Sequence, residues 1–171
     1  LMVQTTAAVT PRALTPVTNG RWDLLPSWSP DGKQIAFYRV EENDGREVCR
    51  VMSMPAVGGV PRDLAECTDY NFPLAWMPDG EALIGVSSLG DAEGGDSGRA
   101  LYRLDLANGV WSPIRYARSS EDIDVWPRVS PDGRWIAFQR NLSLGDLWRM
   151  PIAGGTPERL TSLRANFFGL D

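Results

Sequence analysis

The sequence predicts an all-β protein built from repeated four-stranded antiparallel units, and three observations lead to this prediction. The turn sequence Pro-Asp-Gly occurs three times, with its aspartates at Asp31, Asp79 and Asp132, about 50 residues apart. Short runs rich in aromatic and β-branched residues flank each turn. A Gly-Gly or Asn-Gly pair follows each turn about 25 residues later, as in a second tight hairpin. Repetition of this kind indicates one supersecondary unit used several times.

Each Pro-Asp-Gly turn predicts a hairpin between the first two strands of a unit. Proline fixes φ for the second position of a type I turn, aspartate tolerates the third, and glycine supplies the positive φ that follows. The first strand is predicted at residues 26–28, 74–76 and 127–129, and the second at residues 34–39, 82–86 and 135–140. These runs are apolar at consecutive positions, which indicates strands that are covered on both faces.

Two further strands complete each unit. The third is predicted at residues 48–53, 101–106 and 147–152, and the fourth, after the glycine turn, at residues 61–64, 110–114 and 157–161. The unit is therefore a four-stranded antiparallel meander of roughly 45 residues, which is the size and strand count of a β-propeller blade.

The spacing predicts three complete blades, with partial strands at both ends of the chain. We place the blades at about residues 22–65, 70–115 and 124–161, within a partial propeller that covers residues 12–171. We interpret residues 1–11 as a linker or boundary segment, residues 12–15 as the fourth strand of a preceding blade, and residues 166–171 as the beginning of a next inner strand. Propellers close with about four to eight blades. We therefore expect closure by self-association or by further blades of a longer protein.

Two stretches resemble the blade motif of the TolB-like, WD-repeat-like β-propeller family. They are Trp-Ser-Pro-Asp-Gly-Lys-Gln-Ile-Ala-Phe at residues 28–37 and Ser-Pro-Asp-Gly-Arg-Trp-Ile-Ala-Phe at residues 130–138. Residues 147–161 resemble the second half of such a blade. The middle copy departs from the pattern, because Met77 replaces serine and Gly85 stands where the other copies carry Phe or Ala.

The resemblance implies a fold more strongly than a function. Such blades occur in periplasmic TolB, in the gating propellers of prolyl-oligopeptidase-like peptidases and in bacterial winged-helix regulators with C-terminal propellers. The resemblance therefore implies a non-enzymatic module for protein–protein interaction, and it favours a periplasmic or extracytoplasmic location. The alternatives are a fragment of the substrate-gating propeller of a prolyl-oligopeptidase-like serine peptidase and a propeller lyase that acts on polysaccharide. Fold analogy does not choose among them.

The composition excludes several classes of function. The chain has no histidine, which removes Ser-His-Asp triads, Cys-His pairs and histidine metal sites from these 171 residues. The formal net charge is −5 and no basic run is present, so we expect no nucleic-acid binding through this region. No apolar stretch approaches the ~20 residues of a membrane span.

Two features leave alternatives open. Cys49 and Cys67 are favoured as two small buried thiols, with a disulfide between them as the alternative. The glycine-rich residues 90–98 contain Asp91, Glu93 and Asp96, whose oxygens are candidate ligands for Ca²⁺. The segment does not match the EF-hand pattern, so a solvated connection without a cofactor is favoured.

The topology of a meander predicts where a partner would bind. The first and third connections of each blade lie on one side, and the second connection and the link to the next blade lie on the other. The second side collects the long loops, and variable loops on a rigid scaffold are where binding usually resides. These loops are predicted at residues 41–47, 67–72, 89–99, 116–126 and 141–145. These loops are acidic, so they fit a basic peptide, a basic protein surface or a divalent cation, with a solvated charged rim as the alternative. The candidate partner-binding residues are Glu41, Glu42, Asp44, Glu121, Asp122, Asp124 and Trp126.

Overall fold

The computed structural model describes residues 1–6, 10–87 and 98–164, and every regular element within them is a β-strand. The strands in chain order are β1 (Met2–Val3), β2 (Arg12–Ala13), β3 (Arg21–Trp28), β4 (Gln34–Asn43), β5 (Arg46–Pro55), β6 (Arg62–Glu66), β7 (Ala75–Trp76), β8 (Ala82–Ser87), β9 (Ala100–Asp105), β10 (Val110–Pro113), β11 (Asp124–Val129), β12 (Trp135–Arg140), β13 (Asp146–Pro151) and β14 (Glu158–Arg159). No helix of these residues has the length and apolarity that a membrane crossing needs.

The strands form three four-stranded antiparallel sheets, which confirms the predicted blades. Blade 1 contains β3 to β6, blade 2 contains β7 to β10 and blade 3 contains β11 to β14, each with its strands in sequence order. One apolar cluster joins blade 1 to blade 2 and another joins blade 2 to blade 3, but none among the described residues joins blade 3 to blade 1. The three blades therefore form an open arc.

The Pro-Asp-Gly aspartates hold their turns closed. Asp31 accepts hydrogen bonds from the Ser29 hydroxyl at 2.7 Å and from the Lys33 backbone N–H at 3.0 Å. Asp132 accepts the equivalent bonds from Ser130 and Arg134 at 2.6 and 3.1 Å, and these bonds lower the pKa of Asp132 to about 2. The carboxylates are therefore occupied by the turn.

Tryptophans link blade 2 to blade 1. The indole N–H of Trp76 donates to the Ser27 carbonyl at 3.0 Å, and that of Trp111 donates to the Glu66 carbonyl at 2.9 Å. The glycine at position 85 makes room for the second contact, because a Cβ there would lie 2.7 Å from the Trp111 ring. The departure of the middle copy from the repeat thus accommodates an inter-blade tryptophan.

The two-stranded sheet covers the remaining face of blade 1. Strands β1 and β2 pack over a cluster that contains Leu14, Phe37 and Met54. Residues 1–11, interpreted from the sequence as a linker, thus contain β1, and the segment interpreted as a fourth strand contains β2. The predicted inner strand at residues 166–171 lies outside the described residues.

Candidate functional site

The connections that alternate with the short turns meet at one edge of the arc. We call this edge the long-loop face and define it by residues 41–47, 67–73, 114–123 and 141–145. They join β4 to β5, blade 1 to blade 2, blade 2 to blade 3, and β12 to β13. All of the predicted partner-binding residues except Trp126 and Asp124 lie in these segments, and those two begin the adjoining strand β11.

The prediction of a long loop at residues 41–47 is wrong. Strand β4 continues to Asn43 and β5 starts at Arg46, with a two-residue turn at Asp44 and Gly45, whose φ angles are 51° and 75°. An Asp-Gly pair with positive φ is suited to a tight hairpin. Glu42 and Asp44 remain exposed at this tip, and the Glu41 carboxylate lies 4.0 Å from Arg21.

Asp124 is fully buried and cannot meet a partner as an open charge. It lies opposite Arg140 in the β11–β12 pairing, and the guanidinium donates to both carboxylate oxygens at 2.7 and 2.9 Å. The Tyr116 hydroxyl donates a further hydrogen bond at 2.8 Å. Burial raises the pKa of Asp124, while Arg140 and Tyr116 oppose that rise. Asp124 is therefore placed as a structural anchor of the face.

Asp122 and Trp126 are also engaged, whereas Glu121 is open. The Asp122 carboxylate lies 3.2 Å from the Arg140 guanidinium and accepts the Ser119 backbone N–H at 2.8 Å. Trp126 has a φ of 56° and packs edge-on against Phe72, with ring centroids 5.8 Å apart. Glu121 is exposed at the tip of its loop.

The Asp–Arg pair is a repeated feature that sequence reasoning missed. In blade 1, Arg39 donates to Asp23 at 2.7 and 3.0 Å, in the register position that Arg140 and Asp124 occupy in blade 3. A signal existed in the sequence, because each of these aspartates stands three residues before a proline and each arginine ends the second strand predicted for its blade, at residues 34–39 and 135–140.

A related pair fastens the link between blades 1 and 2. The Arg99 guanidinium donates to Asp69 at 2.7 Å, and Asn71 donates to the same carboxylate from its backbone and its side chain. Burial raises the pKa of Asp69, but these donors outweigh burial, so the pKa lies below its usual value. The adjacent Tyr70 hydroxyl donates to Glu47 at 2.8 Å and ties the link to the β4–β5 hairpin.

Cys49 and Cys67 form a disulfide, so the favoured interpretation of two free thiols is wrong and the alternative is confirmed. Cys49 lies on β5 and Cys67 directly follows β6, where its backbone N–H donates to the Cys49 carbonyl at 3.2 Å. Strand pairing places the two Cα atoms 5.4 Å apart, within the range that a disulfide bridges. The bridge fixes the start of the link that carries Asp69.

The candidate metal ligands Asp91, Glu93 and Asp96 lie outside the described residues. Among residues 1–6, 10–87 and 98–164, no group of three or more acidic or cysteine side chains is arranged to hold a metal ion.

The fold and the sequence of the chain are similar to those of known proteins. No protein-family model matches the chain. The crystal structure of TolB from Acinetobacter baumannii superposes with a TM-score of 0.70 at 23% identity, covering 94% of this chain and 37% of that one. The TolB homologue of Chlorobium chlorochromatii is 32% identical over 115 residues, which are 67% of this chain and 23% of the homologue. The chain has the TolB-like β-propeller fold.

The TolB-like fold is shared with proteins that bear peptidase names. "Uncharacterized peptidase YuxL" of Bacillus subtilis is 28% identical over a 148-residue alignment that covers 71% of this chain and 22% of that protein. A puromycin-hydrolysing peptidase of Mycobacterium tuberculosis superposes with a TM-score of 0.66 at 13% identity, covering 94% of this chain and 30% of that one. The chain thus spans less than half the length of each relative.

Proposed function

We propose that the chain is a non-enzymatic propeller module that binds a protein partner through the long-loop face. The observation that carries the proposal is the arrangement of charge on this face. Asp69, Asp122 and Asp124 are neutralised by arginines beneath the surface, while Glu42, Asp44 and Glu121 stand exposed at the loop tips. The ion pairs hold the loops in position before a partner arrives.

The exposed tips indicate the chemistry of the partner. Carboxylates that are free of internal pairing attract a basic surface and steer its approach, and such steering weakens as salt is added. Because the loops are already ordered, little conformational entropy is lost on binding. A basic peptide segment or a basic protein surface therefore fits the face better than an apolar or anionic ligand.

An extracytoplasmic location is part of this proposal. Disulfides persist in oxidising compartments and are rare in the cytosol of mesophiles. The Cys49–Cys67 bridge and the TolB-like fold together support a place outside the cytoplasm.

A second candidate is the gating propeller of a serine peptidase, which the likeness to peptidase-named proteins favours. In that case the full polypeptide would carry a hydrolase domain with its own nucleophile, since these residues contain no histidine. A fluorophosphonate probe distinguishes the two candidates. Labelling of the full polypeptide supports the peptidase, and no labelling supports the binding module.

A selection from a random-sequence peptide library tests the partner-binding proposal on the 171-residue chain. The test variant is Glu42→Lys with Glu121→Lys, and the control is Glu81→Lys with Glu158→Lys. The control acids are exposed on other surfaces, and both double variants shift the net charge equally. We expect enriched peptides rich in Lys and Arg that bind the control but not the test variant. Peptides that bind both variants equally would contradict the proposal.

A further inference from the structure

A groove lies between blade 1 and blade 2, at the end of the arc that carries the short turns. It has a volume of about 420 Å³ and is lined by Gln34, Ser53 and Arg62 of blade 1 and by Trp76 and Leu106 of blade 2. We call it the inter-blade groove. Both blades have all four of their strands within the described residues, so both walls of the groove are present. Gln34 begins β4 and Leu106 directly follows β9, which places the groove at the opposite end of the strands from the long-loop face.

The blade 1 wall carries three hydrogen-bonding side chains on one face of the sheet. Arg62 lies opposite Ser53 in the β5–β6 pairing, and Ser53 lies opposite Ala36 in the β4–β5 pairing. Gln34 stands two residues before Ala36 on β4, so its side chain is on the same face. A guanidinium, a hydroxyl and an amide therefore share one wall of the groove.

These three groups are available to a ligand. The side chains of Gln34 and Ser53 make no hydrogen bond within the described part of the chain. The Arg62 guanidinium donates to the Leu106 carbonyl across the groove, at a distance of 3.4 Å. The neighbouring carboxylate of Asp63 is already paired with a different arginine at 2.8 Å. The positive charge of Arg62 is thus not neutralised by its neighbour.

The blade 2 wall is apolar and is held in place. The indole N–H of Trp76 already donates to the Ser27 carbonyl of blade 1 at 3.0 Å, so the ring presents its apolar surface to the groove. Leu106 continues this wall, and Val60 lies at the rim with 89% of its surface exposed. The groove therefore has a fixed apolar wall opposite a wall of hydrogen-bonding groups.

The lining indicates a ligand that is anionic at one end and apolar beside it. Arg62 is the one charged side chain among the described residues that line the groove. A guanidinium with a hydroxyl and an amide beside it is suited to a carboxylate, whose two oxygens accept several hydrogen bonds. An apolar group attached to that carboxylate would remove water from the opposite wall, which is favourable.

We propose that the inter-blade groove binds the C-terminal end of a peptide whose last residue is apolar. The carboxylate accepts hydrogen bonds from Arg62, Ser53 and Gln34, and the last side chain packs against the apolar wall. Capture of a C-terminal carboxylate is one of the recurring modes of peptide recognition. A peptide fits better than a free small acid, because the residues before the last one can leave over the rim and cover Val60.

Isothermal titration calorimetry of the 171-residue chain with two synthetic peptides tests this proposal. Both peptides are acetyl-Gly-Ser-Gly-Ser-Ala-Leu, one with a free C-terminal carboxylate and the other with a C-terminal amide. We expect the free acid to bind about tenfold more tightly, because only the acid pairs with the guanidinium. No binding of the free acid, or equal binding of the two peptides, would overturn the proposal.

Two arginine variants locate the site. Arg62→Gln should weaken binding of the free acid about tenfold and remove the preference for the acid over the amide. Arg46→Gln is the matched control, because Arg46 is also exposed but begins β5 at the long-loop face, and both substitutions remove one positive charge. Equal weakening by the two variants would overturn the assignment to the inter-blade groove.

The apolar contacts and the choice of a peptide are tested separately. Val60→Ser should weaken binding of the free acid about threefold, whereas Val17→Ser, at a fully exposed position outside the groove, should leave it unchanged. Equal effects of the two valine variants would overturn the contact at the rim. N-acetyl-leucine, which lacks the preceding residues, should bind about fivefold more weakly than the peptide. Equal affinity of the two would overturn the peptide as occupant in favour of a small acid.

Discussion

The pair between Asp23 and Arg39 offers a direct measure of how strongly the blades depend on their buried ion pairs. The guanidinium donates two charge-assisted hydrogen bonds at 2.7 and 3.0 Å, and the two side chains are 5% and 13% exposed. Removing one partner of a buried pair costs about 3–5 kcal/mol, because the other charge is left buried without compensation. Arg39 retains some solvent contact, so Asp23→Asn should lower the free energy of unfolding by about 3 kcal/mol.

An exposed pair provides the control for this prediction. Arg149 and Glu158 are 42% and 52% exposed, so Glu158→Gln should cost at most about 1 kcal/mol. Urea unfolding followed by circular dichroism measures both variants, and a double variant with Asp23→Asn and Arg39→Gln should lose less than the sum of the single changes. Unfolding of Asp23→Asn and Glu158→Gln at the same urea concentration would refute the argument that burial makes the first pair important.

Three further predictions concern packing, the disulfide and pH. Gly85→Ala should lower the free energy of unfolding by about 1–3 kcal/mol through overpacking against Trp111, and Trp111→Leu in the same chain should recover part of the loss in urea unfolding. Cys49→Ser with Cys67→Ser should cost about 3 kcal/mol, because the bridge closes a loop over a sequence separation of 18; an unchanged urea midpoint would contradict this. The folded-state pKa values of Asp23 and Asp69 are lowered, so their stabilisation is complete above the unfolded pKa and is lost on acidification. As the pH is lowered below about 4, the urea concentration at the unfolding midpoint should therefore decrease. The decrease should be less steep in Asp23→Asn, which lacks one of the two carboxylates.

The repeated turns could be predicted because their chemistry is local. Proline, aspartate and glycine at fixed offsets determine a hairpin without reference to distant residues. The same local rule, applied to Asp44 and Gly45, would have predicted the tight β4–β5 hairpin, whereas the topology of the meander placed residues 41–47 among the long loops. The strand count and the repeat therefore followed from the sequence, while one connection was assigned the wrong length.

Whether an acidic residue is buried and paired or exposed depends on contacts between strands, and the positions of the residues along the sequence do not reveal those contacts. Asp124 and Glu121 differ little as sequence positions, yet one is buried beneath Arg140 and the other is exposed. The disulfide likewise depends on the register that brings β5 beside the end of β6. Comparing the blades with one another would have exposed the Asp–Arg pair, since blades 1 and 3 repeat it at the same offset from proline.

The most direct test of the proposed binding face is the location of a bound peptide on the chain. A photo-reactive benzoylphenylalanine replaces Glu121 on the long-loop face in one variant and Glu81 beside a Pro-Asp-Gly turn in another. Each variant is irradiated with a basic peptide from the library selection. We expect a cross-link from position 121 and none from position 81. A cross-link from position 81 alone, with binding intact, would contradict this expectation.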